Sequence, residues 1–310
     1  MHKFSQQLVE AKNRLNTIRD FIRFMISQFQ EHNLSYGHGT DNAFDEAVYV
    51  TLATLNLPLD QLDPFMDAKL LDSEIDQLLN VCRKRVENNL PAPYITNEAN
   101  FLGYKFYVDE RVIIPRSYIG EIILNKQLDE YFEHPELVHN VLDLCTGNGS
   151  LAIIAADYFY DSQVIASDID NNALEVAKIN IEKHGLREHI KLFQSNLFEK
   201  LSNYQGKFDL IITNPPYVDT ERMSILPKEY LHEPKISLDG GNDGLILVDS
   251  IIKHARQYLS AFGILVLEMG DNLEELKSKY HGLNFKWLST SNDDGFVFVL
   301  TKKDLDSYYS

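Results

Sequence analysis

The stretch VLDLCTGNGSLAI, residues 141–153, contains the pattern that decides the fold. An apolar run typical of a buried strand is followed by two glycines and then by an apolar helical run. Residues Gly147 to Ala152 satisfy G-x-G-x-x-[GA], and Asp168 ends the next predicted strand. A glycine pair alone is also the signature of a tight turn. Strand, glycine loop, helix and distant acid in this order indicate a nucleoside-cofactor site.

The charge beside this loop indicates which cofactor fits. Asp143 lies within the end of the predicted strand, just before Gly147. A carboxylate there would repel a pyrophosphate, but it suits a cationic ligand. S-adenosylmethionine carries a sulfonium and an ammonium group and no phosphate, so the charge favours it over NAD. The alternative is that Asp143 only caps the loop.

The chain around this loop alternates between strand and helix patterns. The predicted strands are 140–145, 162–168, 189–194, 208–214 and 263–270, with a terminal pair at 283–290 and 295–302. The predicted helices are 149–160, 171–184 and 245–261. This alternation predicts an α/β fold with a doubly wound, mostly parallel sheet and helices on both faces.

The preceding part of the chain has a different pattern. Apolar residues at helical spacing predict a helix over about 5–30, a second helix capped by Thr40 or Asp41, and a third over 72–90. FLGYKFYVDERVIIPR, residues 101–116, predicts a β-hairpin that turns at its Asp-Glu pair. We therefore expect a small helical domain over 1–95, a β-hairpin linker over 96–117, and the α/β domain over 118–310.

A second stretch, DLIITNPPYVD at 209–219, predicts a buried strand that stops at Asn214. Pro215 has no N–H for a sheet ladder, and Pro216 restricts Pro215 in turn. The carboxyl ends of parallel strands are where ligands bind in open α/β sheets. The Asn214 side-chain oxygen, the Pro215 carbonyl and the Tyr217 ring would therefore form a clamp beside the cofactor.

This clamp suits a planar NH2 group. An amide or exocyclic amino nitrogen is a poor nucleophile because its lone pair is delocalised. Two fixed acceptors would hold both hydrogens, point the nitrogen at a methyl carbon and favour the charge that develops during direct in-line transfer. The alternative is a Pro-Pro strand terminator with a packing tyrosine.

Together, NPPY and D-x-x-x-G-x-G resemble the amino-methylating branch of the Rossmann-like class I methyltransferases. The segments FLGYKFYVDERVIIPR and HEPKISLDGGNDGL, with the helical N-terminus, narrow the resemblance to the protein-glutamine N5-methyltransferases. YGHGTDNAFDEAV and PRSYIGE resemble the branch that modifies large-subunit ribosomal protein three, rather than the release-factor enzyme. The resemblance runs along essentially the whole chain.

The resemblance implies S-adenosyl-L-methionine as cofactor and assigns roles to individual residues. The implied cofactor contacts are Asp143, Gly147, Gly149, Asp168, Asn196 and Asn214. Position 196 is commonly aspartate in the family, but an asparagine oxygen can still accept from the adenine amino group. Asn214, Pro215 and Pro216 would hold the substrate glutamine, with Tyr217 over the amide plane.

Arg116, Glu121 and Glu233 are further candidate residues for this site. Arg116 and Glu121 in PRSYIGE would form an ion pair that positions the hairpin over the pocket, or Arg116 would touch the cofactor edge; the alternative is a plain surface pair, which contributes little. Glu233 lies in the long segment 218–244, which is a candidate substrate lid. We therefore expect Arg116 and Glu233 to contribute to substrate binding.

Several nearby features carry less specific signals. Neither His38 nor His232 has ligand-spaced partners, so no metal site is expected. Asp243 is a candidate helix cap. The segment YGHGTDNAFDEA either recognises the substrate protein or simply caps a helix.

The formal net charge of −17 limits the partners. A chain this acidic is repelled by phosphate backbones, so direct sequence-specific nucleic-acid binding is not expected. It suits a basic protein such as ribosomal protein three, although acidity also serves solubility. Its two cysteines form no disulfide framework, and no segment approaches the roughly 20 apolar residues of a membrane span. We expect a cytoplasmic protein.

Three other functions stay open at this level. One is methylation of a release factor. Another is amino methylation of a nucleic acid, which would call for a basic face or an added target-reading domain. The last is a non-catalytic ribosome assembly factor that retains the fold.

Overall fold

The structure is a computed structural model that describes residues 2–270, 272–291 and 296–310. Met1 and Gly295, which begin two of the predicted ranges, lie outside the described residues. The chain divides into two compact units. The helical unit comprises the residues up to Ala99 together with Pro227–His232. The α/β unit comprises Asn100–Leu226 and Glu233–Ser310.

The helical unit is built from amphipathic helices. They are α1 (His2–Arg14), α2 (Ile18–Glu31), α3 (Ala43–Thr54), α4 (Asp72–Asn88) and α5 (Ala92–Thr96). Their buried stripes meet in one core that includes Phe21, Met25, Phe29 and Leu78. Burial of such an apolar stripe is what stabilises helices of this length.

Two helix starts differ from the predictions. The single helix predicted over 5–30 is broken before Thr17, whose hydroxyl accepts from the Asp20 amide at 3.2 Å. The Asp20 carboxylate accepts in return from the Thr17 amide at 3.1 Å, which completes a capping box. The predicted cap of α3 was also wrong, because Asn42 is the N-cap and accepts from the Asp45 amide at 2.9 Å.

The hairpin turns earlier than predicted. Strands β1 (Glu98–Phe101) and β2 (Tyr104–Tyr107) pair in a two-stranded sheet. The turn lies at Leu102 and Gly103, which both have positive φ. The predicted turn at the Asp-Glu pair was wrong, because Asp109 instead accepts from the amide of Arg111 within a loop.

The remaining strands and helices of the α/β unit follow in chain order. The strands are β3 (Asn140–Leu144), β4 (Gln163–Asp168), β5 (Ile190–Gln194), β6 (Phe208–Thr213), β7 (Val218–Asp219), β8 (Asp239–Gly241), β9 (Leu259–Glu268), β10 (Lys286–Leu288) and β11 (Val297–Thr301). The helices are α6 (Tyr118–Leu124), α7 (Ser150–Tyr158), α8 (Asn171–Lys183), α9 (Thr220–Met223), α10 (Ile246–Ala255), α11 (Leu273–Lys279) and α12 (Lys302–Tyr308). Short 3-10 turns are Asp63–Phe65, Asp129–Tyr131, Pro135–Leu137, Ser202–Tyr204, Lys228–His232 and Lys235–Ser237.

Among the described residues, seven strands form the central sheet in the order β10-β11-β9-β6-β3-β4-β5. Strands β3, β4, β5, β6 and β9 run parallel, and β11 is antiparallel to both of its neighbours. This confirms the predicted mostly parallel sheet with antiparallel terminal strands. A separate small sheet pairs β7 with β8.

Helices cover both faces of the central sheet. Val141, Leu210 and Val266 lie in a core with residues of α6, α7 and α8. Leu142 and Leu265, their neighbours along the strands, lie in a second core with residues of α10, α11 and α12. Successive residues of a strand face opposite sides, which explains the continuously apolar strands. The prediction of a doubly wound arrangement is confirmed.

One predicted helix ran too long. The pattern indicated a helix over 245–261, but α10 ends at Ala255 and β9 begins at Leu259. The carbonyl of Tyr258 accepts from the amide of Phe208 at 3.0 Å, and Leu259 pairs with Phe208. Sheet pairing thus takes over from the helical pattern. No helix in the described part of the chain is both long and apolar enough to cross a bilayer.

Candidate functional site

Polar side chains lie at one edge of the sheet because of its register. Leu144 of β3 pairs with Ser167 of β4 and Thr213 of β6. Asp168 and Asn214 therefore each lie one residue beyond a partner of Leu144. These positions are at the carboxyl ends of parallel strands, where ligands bind in open α/β sheets.

The glycine loop that follows β3 needs its unusual backbone. Cys145, Gly147 and Gly149 have φ values of 61°, 54° and 82°. Gly149 also packs on α8, because a Cβ built on it would lie 3.2 Å from the Cβ of Ala177. Positive φ and close packing together explain the glycine at this position.

The hydrogen bonds of the loop disfavour a phosphate ligand. The amide of Gly147 donates to Asp168 Oδ2 at 2.9 Å. The amides of Ser150 and Ala152 donate to the side chains of Asn148 and Asp143, at 2.9 and 3.0 Å. A pyrophosphate would need such amides as donors, and the chain already uses them. The site fits a cofactor without phosphate.

Asp143 has one engaged oxygen and one without a partner. Its Oδ2 accepts from Thr146 Oγ1 at 2.5 Å and from the Ala152 amide. Its Oδ1 is buried and has no hydrogen-bond partner among the described residues. Burial raises the pKa of this carboxyl to about 7. The loop-capping alternative therefore describes Oδ2, while Oδ1 is enclosed by the protein, so its charge acts on a cationic cofactor such as S-adenosylmethionine only at a distance.

Asp168 links the glycine loop to the end of β4. Its Oδ2 accepts from Gly147, and its Oδ1 accepts from the amide of Asp170 at 2.9 Å. Burial raises the pKa of this carboxyl above its ordinary value. Each carboxylate oxygen retains a further lone pair, so both can still accept from ribose hydroxyls. The ribose contact itself stays a prediction.

Asn196 follows β5 and is exposed. Its Nδ2 donates to Glu199 Oε1 at 2.7 Å. This bond orients the carboxamide and leaves its oxygen as the acceptor. The arrangement suits a contact with an adenine amino group, which stays a prediction.

Asn214 and Pro215 offer acceptors that the chain does not use. Asn214 is half-buried and Pro215 is buried. Neither the carboxamide of Asn214 nor the carbonyl oxygen of Pro215 has a hydrogen-bond partner among the described residues. Thr213 just before them is tied to β3, because its hydroxyl donates to the Leu144 carbonyl at 2.8 Å. A rigid strand end thus presents two free acceptors.

Three glycines surround Tyr217. A Cβ on Gly240 would lie 2.7 Å from Tyr217 Cα, and one on Gly244 would lie 2.4 Å from the Tyr217 carbonyl oxygen. A Cβ on Gly270 would lie 2.8 Å from Cδ2 of the Tyr217 ring. The stretch DGGNDGL therefore packs against Tyr217, which the sequence analysis missed; its repeated glycines are the signal. The prediction of Asp243 as a helix cap was wrong, because Leu245 is the N-cap of α10; Asp243 instead accepts from the Leu245 amide at 3.0 Å in the preceding turn.

The ion pair of Arg116 forms with Glu233, so the predicted pairing with Glu121 was wrong. Arg116 Nη1 and Nη2 donate to Oε1 and Oε2 of Glu233 at 2.6 and 2.7 Å. The Ile114 amide donates to the same carboxylate at 3.0 Å. The Glu233 side chain is fully buried. A bidentate pair of this kind fixes the long segment after NPPY; a direct role in substrate binding stays a prediction.

Glu268 is a further carboxylate at this edge that the sequence analysis missed. Thr213 pairs with Leu267, so Glu268 lies one residue beyond that pair. Its Oε2 accepts from the hydroxyl of Ser117 at 2.5 Å. Burial raises the pKa of its carboxyl to about 7. The available signal was a single acid at the carboxyl end of an apolar predicted strand.

His232 and His38 both contact other groups of the protein. His232 Nε2 lies 2.7 Å from the carbonyl oxygen of Asn88. The buried His38 ring lies 4.4 Å from the ring of Tyr230. Within the described ranges, no group of three or more His, Cys, Asp or Glu side chains is placed to hold a metal.

The chain is similar in sequence to known methyltransferases. The Methyltransferase small domain family matches residues 121–239. The ribosomal protein uL3 glutamine methyltransferase of Neisseria meningitidis serogroup A is 50% identical to this chain, and the alignment covers 96% of each chain. The enzyme of the same name from Burkholderia pseudomallei is 48% identical, over 93% of this chain and 95% of the relative.

The same fold is found in solved structures. The catalytic domain of hMettl16, in complex with MAT2A 3′UTR hairpin 6, aligns with a TM-score of 0.50 at 15% identity. The alignment covers 76% of this chain and 84% of that chain. At this identity the likeness concerns the fold alone.

Proposed function

Because the chain belongs to the family of ribosomal protein uL3 glutamine methyltransferases, we propose that it methylates the side-chain nitrogen N5 of a glutamine in uL3. The helical domain predicted over 1–95 recognises the substrate protein. A ribosomal-protein substrate places the reaction in the cytoplasm. The relatives support the substrate, and the unused acceptors at Asn214 and Pro215 support the reaction.

S-adenosyl-L-methionine is the cofactor, and when bound it supplies the methyl group. Asp143 attracts its cationic amino-acid end through the charge of its buried carboxylate. Asp168 accepts from the ribose hydroxyls, and Asn196 accepts from the adenine amino group. Gly147 and Gly149 adopt the positive φ values that bring the loop backbone close to the cofactor.

The residues of NPPY orient the substrate amide. Asn214 Oδ1 and the Pro215 carbonyl each accept one hydrogen of the glutamine NH2, which turns the nitrogen toward the methyl donor. Their partial negative charges favour the positive charge that develops on nitrogen during transfer. Tyr217 lies over the amide plane, and Pro216 keeps the turn rigid. No strong base is needed, because the nitrogen becomes acidic only as it is methylated.

The acidic composition supports a basic protein substrate. A net charge of −17 attracts a basic ribosomal protein and disfavours one already covered by RNA. Free uL3, or uL3 in an early assembly intermediate, is therefore the form that the enzyme meets.

The test is methyl transfer in a purified system. Free uL3 is incubated with the chain and labelled S-adenosylmethionine, and peptides are analysed by mass spectrometry. The proposal predicts one added methyl group on the side-chain nitrogen of a single glutamine. A purified release factor serves as the alternative substrate. Label on the release factor alone, or on neither protein, would contradict the proposal.

A further inference from the structure

A buried arginine in the helical unit binds two carboxylates. Arg85 of α4 is 1% exposed. Its Nε donates to Glu46 Oε1 at 2.6 Å, and its Nη1 donates to Glu229 Oε1 at 2.9 Å. Its Nη2 donates to the carbonyl of Ser35 at 2.7 Å, and the Ser35 amide donates to Glu229. The result is a closed polar cluster in the core of the unit.

Glu229 reaches this cluster from a distant part of the chain. It belongs to Pro227–His232, here called the strap, which lies in the segment that follows NPPY yet packs within the helical unit. A Cβ on Gly37 would lie 2.7 Å from the hydroxyl of Tyr230, and the Tyr230 ring packs on His38.

These contacts explain the role of most residues in the segment YGHGTDNAFDEA. Tyr36, Gly37 and His38 lie beside Arg85 or Tyr230, and Glu46 binds Arg85 directly. The Glu46 carboxylate also accepts from the Thr40 hydroxyl at 3.2 Å. The segment therefore forms the surface against which the strap is seated.

Such a cluster is a costly way to stabilise a core. One guanidinium faces two carboxylates, so a net negative charge is buried, and desolvation raises the pKa of Glu46. Apolar side chains of similar volume commonly stabilise a core as well or better. Buried charged side chains instead favour a single packing arrangement. Any other arrangement would leave one of the charged groups buried without its partner.

The chain immediately after the strap is also fixed. Glu233 is held in the α/β unit by Arg116 and by the Ile114 amide. The chain between Tyr217 and β8 is thus held by two ion pairs. Arg85 binds Glu229, and Arg116 binds Glu233. Two bonded carboxylates so close together leave the segment after NPPY little freedom.

We propose that Arg85 is a positioning residue for methyl transfer. Held by Glu46, it binds Glu229, seats the strap and keeps the segment that leaves NPPY in its working conformation. The segment YGHGTDNAFDEA is the surface on which the strap packs. This inference rests on the proposed glutamine methylation.

The test uses Glu229→Gln, with the exposed Glu221→Gln of the same segment as matched control. We expect kcat on uL3 to fall about 10- to 100-fold in Glu229→Gln. The affinity for S-adenosylhomocysteine, measured by calorimetry, should stay at the wild-type value. Trypsin should cleave faster after the exposed residues Lys228 and Lys235. Glu221→Gln should match wild type in all three measurements.

A second variant keeps the test decisive if Glu229→Gln does not fold. Tyr230→Ala removes the ring that packs on Gly37 and His38, without burying a charge, and should show the same loss of kcat with unchanged cofactor affinity. Wild-type kcat in either folded variant overturns this inference alone. Absence of wild-type turnover on uL3 overturns the proposed function, and this inference with it.

Discussion

Gly270 lies so close to the ring of Tyr217 that a Cβ built on it would stand 2.8 Å from Cδ2. Gly270→Ala should therefore displace the ring that is proposed to cover the substrate amide. We expect kcat to fall about 10- to 100-fold, because misplacement by an ångström has effects of this size. Steady-state kinetics on uL3 would measure it.

A different glycine supplies the control for this variant. Gly185 has φ of 72°, and a Cβ on it would meet no atom within 4 Å. Gly185→Ala should lower the free energy of unfolding by about 1 kcal/mol through backbone strain and leave kcat unchanged. If Gly270→Ala keeps the wild-type kcat, or Gly185→Ala loses it equally, Tyr217 does not depend on this contact.

Asp143→Asn tests the unpartnered oxygen beside the glycine loop. The asparagine oxygen can keep the bonds to Thr146 and Ala152, while its NH2 replaces Oδ1. Loss of this buried negative charge beside a cationic cofactor should weaken binding of S-adenosylmethionine about tenfold. Calorimetric titration would measure the affinity. Unchanged affinity would leave Asp143 as a loop cap only.

The raised pKa of Asp143 predicts a pH dependence. With a pKa of about 7, the carboxyl is largely neutral below that pH. Cofactor affinity should therefore rise as pH rises through 7, and Asp143→Asn should flatten this rise. Stability without cofactor should change in the opposite direction. The unfolded chain loses this proton at lower pH, so the free energy of unfolding falls between about pH 4 and 7.

Glu268 adds to the same stability slope, because its pKa is also raised to about 7. Denaturant titrations at several pH values would separate the two groups, since Asp143→Asn should remove only part of the slope. A slope that Asp143→Asn leaves unchanged would show that Asp143 is not protonated in the folded protein at neutral pH.

Added salt should slow methylation of uL3. The net charge of −17 attracts a basic substrate, and this attraction is screened over about 10 Å at 0.1 M salt. We expect kcat/KM for uL3 to fall as salt is raised, mainly through KM. A short uncharged peptide around the same glutamine is the control, and its kcat/KM should change little. Equal salt dependence for both substrates would contradict the prediction that the net charge attracts uL3.

Local patterns predicted the sheet and its ligand-binding edge. The runs around Leu142, Ile165 and Ile211 are apolar on both faces because helices cover both sides, and such runs identify parallel strands. Pro215 and Gly147 mark the strand ends by backbone chemistry alone. Helix ends were less predictable, because the capping box at Thr17 and the sheet pairing of Leu259 compete with a continuous apolar period.

Contacts between distant positions could not be predicted from single segments. Nothing local to Arg116 distinguishes Glu121 from Glu233 as its partner, and the nearer acid was the wrong choice. Arg85 did leave a signal, since it lies on the stripe of α4 that also carries Leu78 and Cys82. An arginine on an apolar stripe predicts a buried acidic partner, although not that the partner is Glu229.

The most direct test of the central claim is single-turnover methylation by Asn214→Ala. Removing one of the two acceptors should lower the rate about 10²- to 10³-fold, as loss of a transition-state hydrogen bond does, when the rate is measured at saturating S-adenosylmethionine so that a weaker cofactor contact does not contribute. Asn203→Ala, at an exposed position in the same unit, should react at the wild-type rate. A wild-type rate in Asn214→Ala would contradict the proposal that this carboxamide holds the substrate nitrogen.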